Sequence, residues 1–276
     1  MKIFLIAFFL VSTQVFSQSV CDRIADGVDT YLEARESRLS FKNRGGLING
    51  GVCWWHNRFQ RSSAYLAQFS PELPKPSRQE LQTILLHLRQ MSQVVTIPGF
   101  ENFHSFSQAY EKEIQSVLEA WQRQDGFINQ QWLRGISGQS VLSPPELRKR
   151  MDILYDQFVR SPHPIWVMAQ IKGVKSHAFL ISKMGRSAKG YDLQVIDSNF
   201  PAENKVFTYE IGQTSLKHPK DKYSFVPYLG FQKDFHLIKR SVETQCGKNL
   251  FRELETVPAG EVEVSHEGPL LRIEIY

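Results

Sequence analysis

The alternation of apolar and polar residues divides the chain into a helical first part and an extended second part. Between Trp55 and Phe69 apolar side chains recur at spacings of four and three, which predicts one buried face of a helix. The run Ser77-Arg78-Gln79-Glu80 matches a capping box, and Ser143-Pro144-Pro145-Glu146 is a second strong helix start. Further helices are predicted over 24–39, 107–124 and 241–255.

After Pro164 the residues become rich in branched and aromatic side chains, which favours strands. Short connections between the strands predict a mostly antiparallel sheet. We therefore expect an α+β fold with two lobes of one domain, a helical lobe over about 18–162 and a sheet lobe over about 163–276. The predicted strands are 165–171, 178–184, 191–196, 206–211, 223–228, 235–238 and 270–275.

The first 17 residues have the pattern of a secretory signal. Met1-Lys2 is basic, Ile3 to Val11 is nearly continuous apolar sequence, and Val15-Phe16-Ser17 offers a cleavage site before Gln18. The apolar stretch is shorter than the roughly 20 residues that a membrane span needs, although a retained anchor is the alternative. We expect an exported protein, periplasmic or extracellular, with no stable membrane insertion once the signal is cleaved.

The composition excludes several classes of protein. Apolar residues make up 42% and charged residues 22% of the chain, which is ordinary for a globular protein. The net charge of +5 comes from scattered basic residues, whereas nucleic-acid binding requires a clustered basic stripe. The histidines outside the candidate site have no metal-ligand spacing, and no glycine-rich phosphate loop is present. We expect no metal, no cofactor and no nucleic acid, and a monomer.

The chain has three cysteines, Cys21, Cys53 and Cys246. In an oxidising compartment an odd count predicts one disulfide and one free thiol. We expect Cys21 and Cys246, which lie near the two ends of the mature chain, to pair and leave Cys53 free. The alternatives are a bridge that includes Cys53 and three reduced thiols.

Cys53 lies where a glycine-rich loop meets the predicted helix that begins near Trp54. A helix N-terminus lowers the pKa of a thiol, and a thiolate is the nucleophile in cysteine chemistry. Gly50 and Gly51 allow the backbone to approach a substrate and direct the Cys53 amide towards a developing oxyanion. A buried structural cysteine is the alternative interpretation.

A base and a carboxylate lie on two strands joined by the run 185–189. If Met184 pairs with Gly190, His177 lies directly opposite Asp197 on one face of the sheet, within hydrogen-bonding reach. Because a slip of one residue would separate them, this prediction depends on the turn. His177 could instead be a structural histidine, Asp197 a turn cap, and His56 the base next to Cys53.

Three short motifs, in this order, resemble those of papain-like cysteine peptidases, in particular the secreted bacterial branches. They are Gly51-Val52-Cys53-Trp54-Trp55, Ser176-His177-Ala178-Phe179-Leu180 and Ile196-Asp197-Ser198-Asn199-Phe200. The resemblance implies a papain-like two-lobed fold with a cleft between the lobes. It also implies a nucleophile at Cys53, a general base at His177 and an orienting acid at Asp197.

The oxyanion position departs from the family pattern, because Leu47 stands at the usual spacing of the glutamine. We take Asn49 as its substitute, although Asn-Gly is also a common turn, and Trp54 as a residue lining the cleft. The expected activity is a thiol hydrolase that cleaves peptide or protein substrates. A transglutaminase- or amidase-type acyl transferase with the same triad and a catalytically inactive binding protein are the alternatives.

Overall fold

The computed structural model describes residues 18–47, 50–128, 140–160, 163–171, 175–220, 222–227, 234–247 and 250–251. Its helices are α1 (Val20–Asp26), α2 (Val28–Glu33), α3 (Cys53–Leu66), α4 (Arg78–Gln90), α5 (Phe103–Ala109), α6 (Glu111–Ile128), α7 (Pro144–Arg160) and α8 (Phe235–Cys246). Its strands are β1 (Ala67–Ser70), β2 (Val95–Pro98), β3 (Ile165–Gln170), β4 (Ser176–Ser187), β5 (Gly190–Asp197), β6 (Asn204–Glu210), β7 (Leu216–Lys217) and β8 (Ser224–Pro227).

Six strands form one antiparallel sheet in the order β6-β5-β4-β3-β8-β7. β1 and β2 form a separate parallel pair within the helical part. The predicted α+β class is confirmed.

Two hydrophobic clusters lie on opposite faces of the large sheet. Side chains alternate between the faces along a strand, so Ala178 and Leu180 pack into one cluster while Phe179 and Ile181 pack into the other. The first cluster contains most of the helices, including α3 and α8, and the second contains α7. The two predicted lobes, 18–162 and 163–276, do not coincide with the two clusters. α7 lies in the first range but packs against the sheet, and α8 lies in the second range but packs with the helices.

α3 is the central helix of the first cluster, with Phe59, Tyr65 and Leu66 fully buried. The Asn57 amide donates hydrogen bonds to the Cys53 carbonyl (2.9 Å) and to the Ala178 carbonyl of β4 (2.8 Å). This side chain fixes the first turn of α3 against the strand that carries His177.

Cys21 of α1 and Cys246 of α8 form a disulfide, and Cys53 is a free thiol. The bridge joins the first and last helices of the described chain across a separation of 225 residues. None of the helices in the described part of the chain has the length and apolar content of a membrane span.

Local capping chemistry located several helices correctly. The Ser77–Glu80 capping box is present at α4, and α7 begins at Pro144. The predicted helix over 24–39 is instead broken at Gly27, where φ is +102°. The predicted strand over 235–238 is wrong, because those residues begin α8. The signal segment and the predicted strand over 270–275 lie outside the described residues.

Candidate active site

Cys53 is the first residue of α3, at the end of the glycine-rich loop. Gly51 has φ of +84°, and a Cβ added there would lie 2.6 Å from the Asn43 amide, so both the conformation and the space favour glycine. Asn43 braces the loop, because its Oδ1 accepts a hydrogen bond of 2.5 Å from the Val52 N–H. The first amides of a helix have no acceptor within it, so the Cys53 N–H lies at an electropositive helix end.

His177 and Asp197 are joined by a hydrogen bond of 2.8 Å between Nε2 and Oδ1. The predicted register is wrong, because Asp197 pairs with Phe179 and lies diagonally from His177. The hairpin turns through two residues, since Ser187 pairs with Gly190, and a bulge at Ser182 shifts the pairing by one residue. The two side chains nevertheless share one face of the sheet.

Cys53 and His177 line the same cleft and interact electrostatically. Because the Nε2 atom of His177 faces Asp197, the Nδ1 atom is the one left for the thiol. Burial alone lowers the pKa of His177. The interaction with Cys53 and the hydrogen bond that His177 donates to Asp197 outweigh burial and raise this pKa to about 10. His177 is therefore protonated at neutral pH.

Asp197 is fully buried and has four hydrogen-bond partners. Oδ1 accepts from His177 and from the Asn199 N–H (2.8 Å), and Oδ2 accepts from the Lys205 ammonium (3.0 Å) and His218 Nε2 (2.9 Å). Burial raises the pKa of this carboxyl, but the hydrogen bonds from His177 and His218 outweigh burial and hold the pKa well below its usual range. Asp197 is therefore ionised at neutral pH.

The cleft that Cys53 and His177 line has a volume of about 410 Å³. Its walls come from the glycine-rich loop, from the turn after β5 and from the segments that precede β4 and β8. The residues that line it are Asn43, Gly50, Cys53, Ile171, Lys175, Ser176, His177, Asn199 and Tyr223.

Three other predicted residues have different positions. Trp54 packs in the helical core with its ring centroid 4.6 Å from that of Trp166, and it does not line the cleft. His56 is buried with Nε2 3.1 Å from the Phe41 carbonyl, and burial lowers its pKa to about 4, so it is not placed as the base. Asn49 lies outside the described residues.

Three further residues of the site were not predicted from the sequence: Lys205, His218 and Asn43. One signal for Lys205 was present, because on β6 it shares the buried face with Phe207 and Tyr209 while the alternate residues are exposed. A lysine in phase with core residues needs a buried partner. His218 and Asn43 gave no comparable signal, because their partners are set by tertiary packing.

Searches against models of protein families, curated proteins and solved structures found no match to this chain.

Proposed function

We propose that this protein is an exported cysteine-dependent acyl-transfer enzyme of papain-like design, and that its reaction is the hydrolysis of peptide bonds. The observation that carries the proposal is the chain of contacts from Cys53 to His177 to Asp197 at the wall of an open cleft. Nucleophile, base and orienting carboxylate in mutual reach are the arrangement that covalent catalysis by cysteine requires.

In the proposed reaction the Cys53 thiolate attacks the carbonyl carbon of the substrate, and the carbonyl oxygen takes the negative charge. The Cys53 backbone N–H at the start of α3 donates to this oxyanion. The C–N bond then breaks, and protonated His177 gives its proton to the leaving amine. A thioester remains on Cys53.

Water completes the cycle by adding to the thioester while His177 takes one of its protons. The carboxylic acid leaves and the Cys53 sulfur is released. Asp197 orients the His177 ring and stabilises its protonated form throughout. An amine in place of water would give transamidation with the same residues, so the identity of the acceptor separates a peptidase from an acyl transferase.

The test begins with the reactivity of the thiol. The mature protein is alkylated with iodoacetamide between pH 4 and pH 9, and the modified residue is located by peptide mass spectrometry. An isolated thiol has a pKa of about 8.5, so alkylation of Cys53 that is already fast at pH 6 indicates the ion pair. The His177→Gln variant should lose this low-pH reaction, and Cys53→Ser is the blank.

Activity is then measured on a mixed peptide library, with and without an added primary amine. New peptide termini that depend on Cys53 support a peptidase, and amine incorporation supports an acyl transferase. A thiol that reacts only near pH 8.5 and is indifferent to the His177→Gln exchange would overturn the proposal.

A further inference from the structure

The carboxylate that orients His177 has a second, fully buried set of partners. Oδ2 of Asp197 accepts from Lys205 (3.0 Å) and His218 (2.9 Å), and all three side chains are at most 4% exposed. A cation on the far oxygen of this carboxylate is not needed for the transfer of a proton between Cys53 and His177. The Lys205 charge therefore has a function other than this proton transfer.

Lys205 is fixed by its contacts with Asp197, Phe200 and His218, whose Nε2 atom lies 3.4 Å from the ammonium. Its ammonium donates to Asp197 and lies 3.2 Å from the centroid of the Phe200 ring, which places the charge over an aromatic face. Removing the partner of a buried charge is costly, so the lysine and the aspartate hold each other in place.

His218 contributes a hydrogen bond of defined direction. Its Nδ1 atom accepts from the backbone N–H of Lys220 at 3.2 Å, so this nitrogen carries no proton. The proton is therefore on Nε2, which faces Asp197. His218 also stacks on Tyr223, with a centroid distance of 4.8 Å, and this packing fixes the plane of its ring.

We propose that Lys205 and His218 are positioning residues that commit one oxygen of Asp197 to His177, and that the Lys205 charge lowers the pH at which His177 releases its proton. The physical reason is that His177 and Lys205 are cations on the same carboxylate. Each reduces the stabilisation that Asp197 gives to the other. Without Lys205 the imidazolium would hold its proton more strongly, which opposes its delivery to a leaving amine.

The groups that bear on the His177 proton come from each element around it. They are Cys53 and His56 of α3, Lys175 before β4, Asp197 of β5, Lys205 of β6, and His218 and Tyr223 on either side of the turn between β7 and β8. Of the two lysines, Lys205 is the one that donates a hydrogen bond to Asp197.

The inference rests on the proposed function for its meaning, but it is tested without the nucleophile. In the full mature chain carrying Cys53→Ala, the titration of His177 is followed by NMR on protein labelled with ¹³C-histidine. The His177 signal is assigned by its loss in a His177→Gln variant. Adding Lys205→Met should raise the pKa of His177 by about one pH unit or more.

Two further variants keep the outcome clear. Lys205→Gln retains a donor without the charge and should raise the pKa in the same direction, which also covers the case that the methionine variant fails to fold. Phe225→Leu disturbs the same aromatic surroundings, because its ring lies 5.1 Å from Phe207, and should leave the pKa unchanged.

A His177 pKa that stays constant or falls in both lysine variants would overturn the inference, as would an equal rise in Phe225→Leu. Either result would leave the alkylation test of Cys53 unaffected. Conversely, an unreactive Cys53 combined with a raised His177 pKa would sink the proposed enzyme while supporting this coupling.

Discussion

Asp197 bonds to the His177 ring at 2.8 Å from a diagonal position, because its direct partner across the sheet is Phe179. Next to the turn, the pairing runs from Ser187–Gly190 to Lys183–Gln194. If this pairing continued without the bulge at Ser182, Asp197 would lie opposite Leu180. The side chain of Leu180 points into the helical cluster, away from the face that carries His177. The one extra residue in β4 therefore keeps the carboxylate and the imidazole on the same face.

The first prediction separates the two histidines near Cys53. His56→Gln should leave the alkylation of Cys53 at pH 6 within a few-fold of wild type, because His56 is held by the Phe41 carbonyl. His177→Gln should slow alkylation by about 100-fold, since an unassisted thiol is only a fraction of a per cent ionised at pH 6. The measurement is the second-order rate with iodoacetamide. A loss of the same size in both variants would contradict the assignment of the base.

A second prediction concerns the buried pair of Asp197 and Lys205. Asp197→Asn should cost about 3–5 kcal/mol of unfolding free energy in urea, because it leaves the Lys205 charge buried without a carboxylate. The double variant Asp197→Asn/Lys205→Met should recover part of this loss. Equal stability of Asp197→Asn and the double variant would contradict the expected cost of leaving the Lys205 charge without a carboxylate.

The pH dependence of this pair has a defined sign. The pKa of Asp197 is lowered in the folded protein relative to about 3.9 in the unfolded chain. Its contribution to stability is therefore full above pH 4 and is lost as the pH falls further. The difference between wild type and Asp197→Asn should shrink as the pH falls below about 4. A difference that grows in acid would contradict the sign of the shift.

Asn43 should matter for both stability and reactivity. Asn43→Ala removes the acceptor of the Val52 N–H and the hydrogen bond to Asn199 Oδ1 (3.0 Å), at an expected cost of about 1–3 kcal/mol. Asn43→Asp keeps the acceptor for Val52 and should be closer to wild type. Both are compared by thermal unfolding and by the alkylation rate of Cys53. If the alanine variant matches wild type in both, Asn43 does not brace the loop.

The disulfide should affect stability without affecting the site. Replacing Cys21 and Cys246 together by serine should reduce the unfolding free energy by about 2–5 kcal/mol. The alkylation profile of Cys53 should not change, because the bridge joins α1 to α8 and neither helix lines the cleft. A changed profile would show that the bridge also positions the thiol.

The parts of the fold that follow from local chemistry could be predicted from the sequence. The capping box at Ser77 and the proline at Pro144 place helix starts through contacts within one turn. The run from Phe235 to Ile238 was misread as a strand because a short apolar segment suits either structure. The α+β class followed from longer stretches of consistent pattern.

The candidate site was predictable only in part, for the same reason. The position of Cys53 at a helix start is a local feature. The hydrogen bond between His177 and Asp197 depends instead on the two-residue turn and on the bulge at Ser182, since the turn alone would place the two side chains on opposite faces of the sheet. His218 meets Asp197 through the placement of the short strand β7, which no periodicity indicated. The papain-like identity of the fold stays a prediction.

The base and its carboxylate both belong to one hairpin, while the nucleophile begins a helix of the opposite hydrophobic cluster. The hydrogen bond between His177 and Asp197 can therefore form once β4 and β5 pair, whether or not Cys53 is in place. The Asn57 amide joins the two parts, because it donates to both the Cys53 and the Ala178 carbonyl. A larger spacing between the start of α3 and β4 would separate Cys53 from His177 while the hydrogen bond between His177 and Asp197 stays in place.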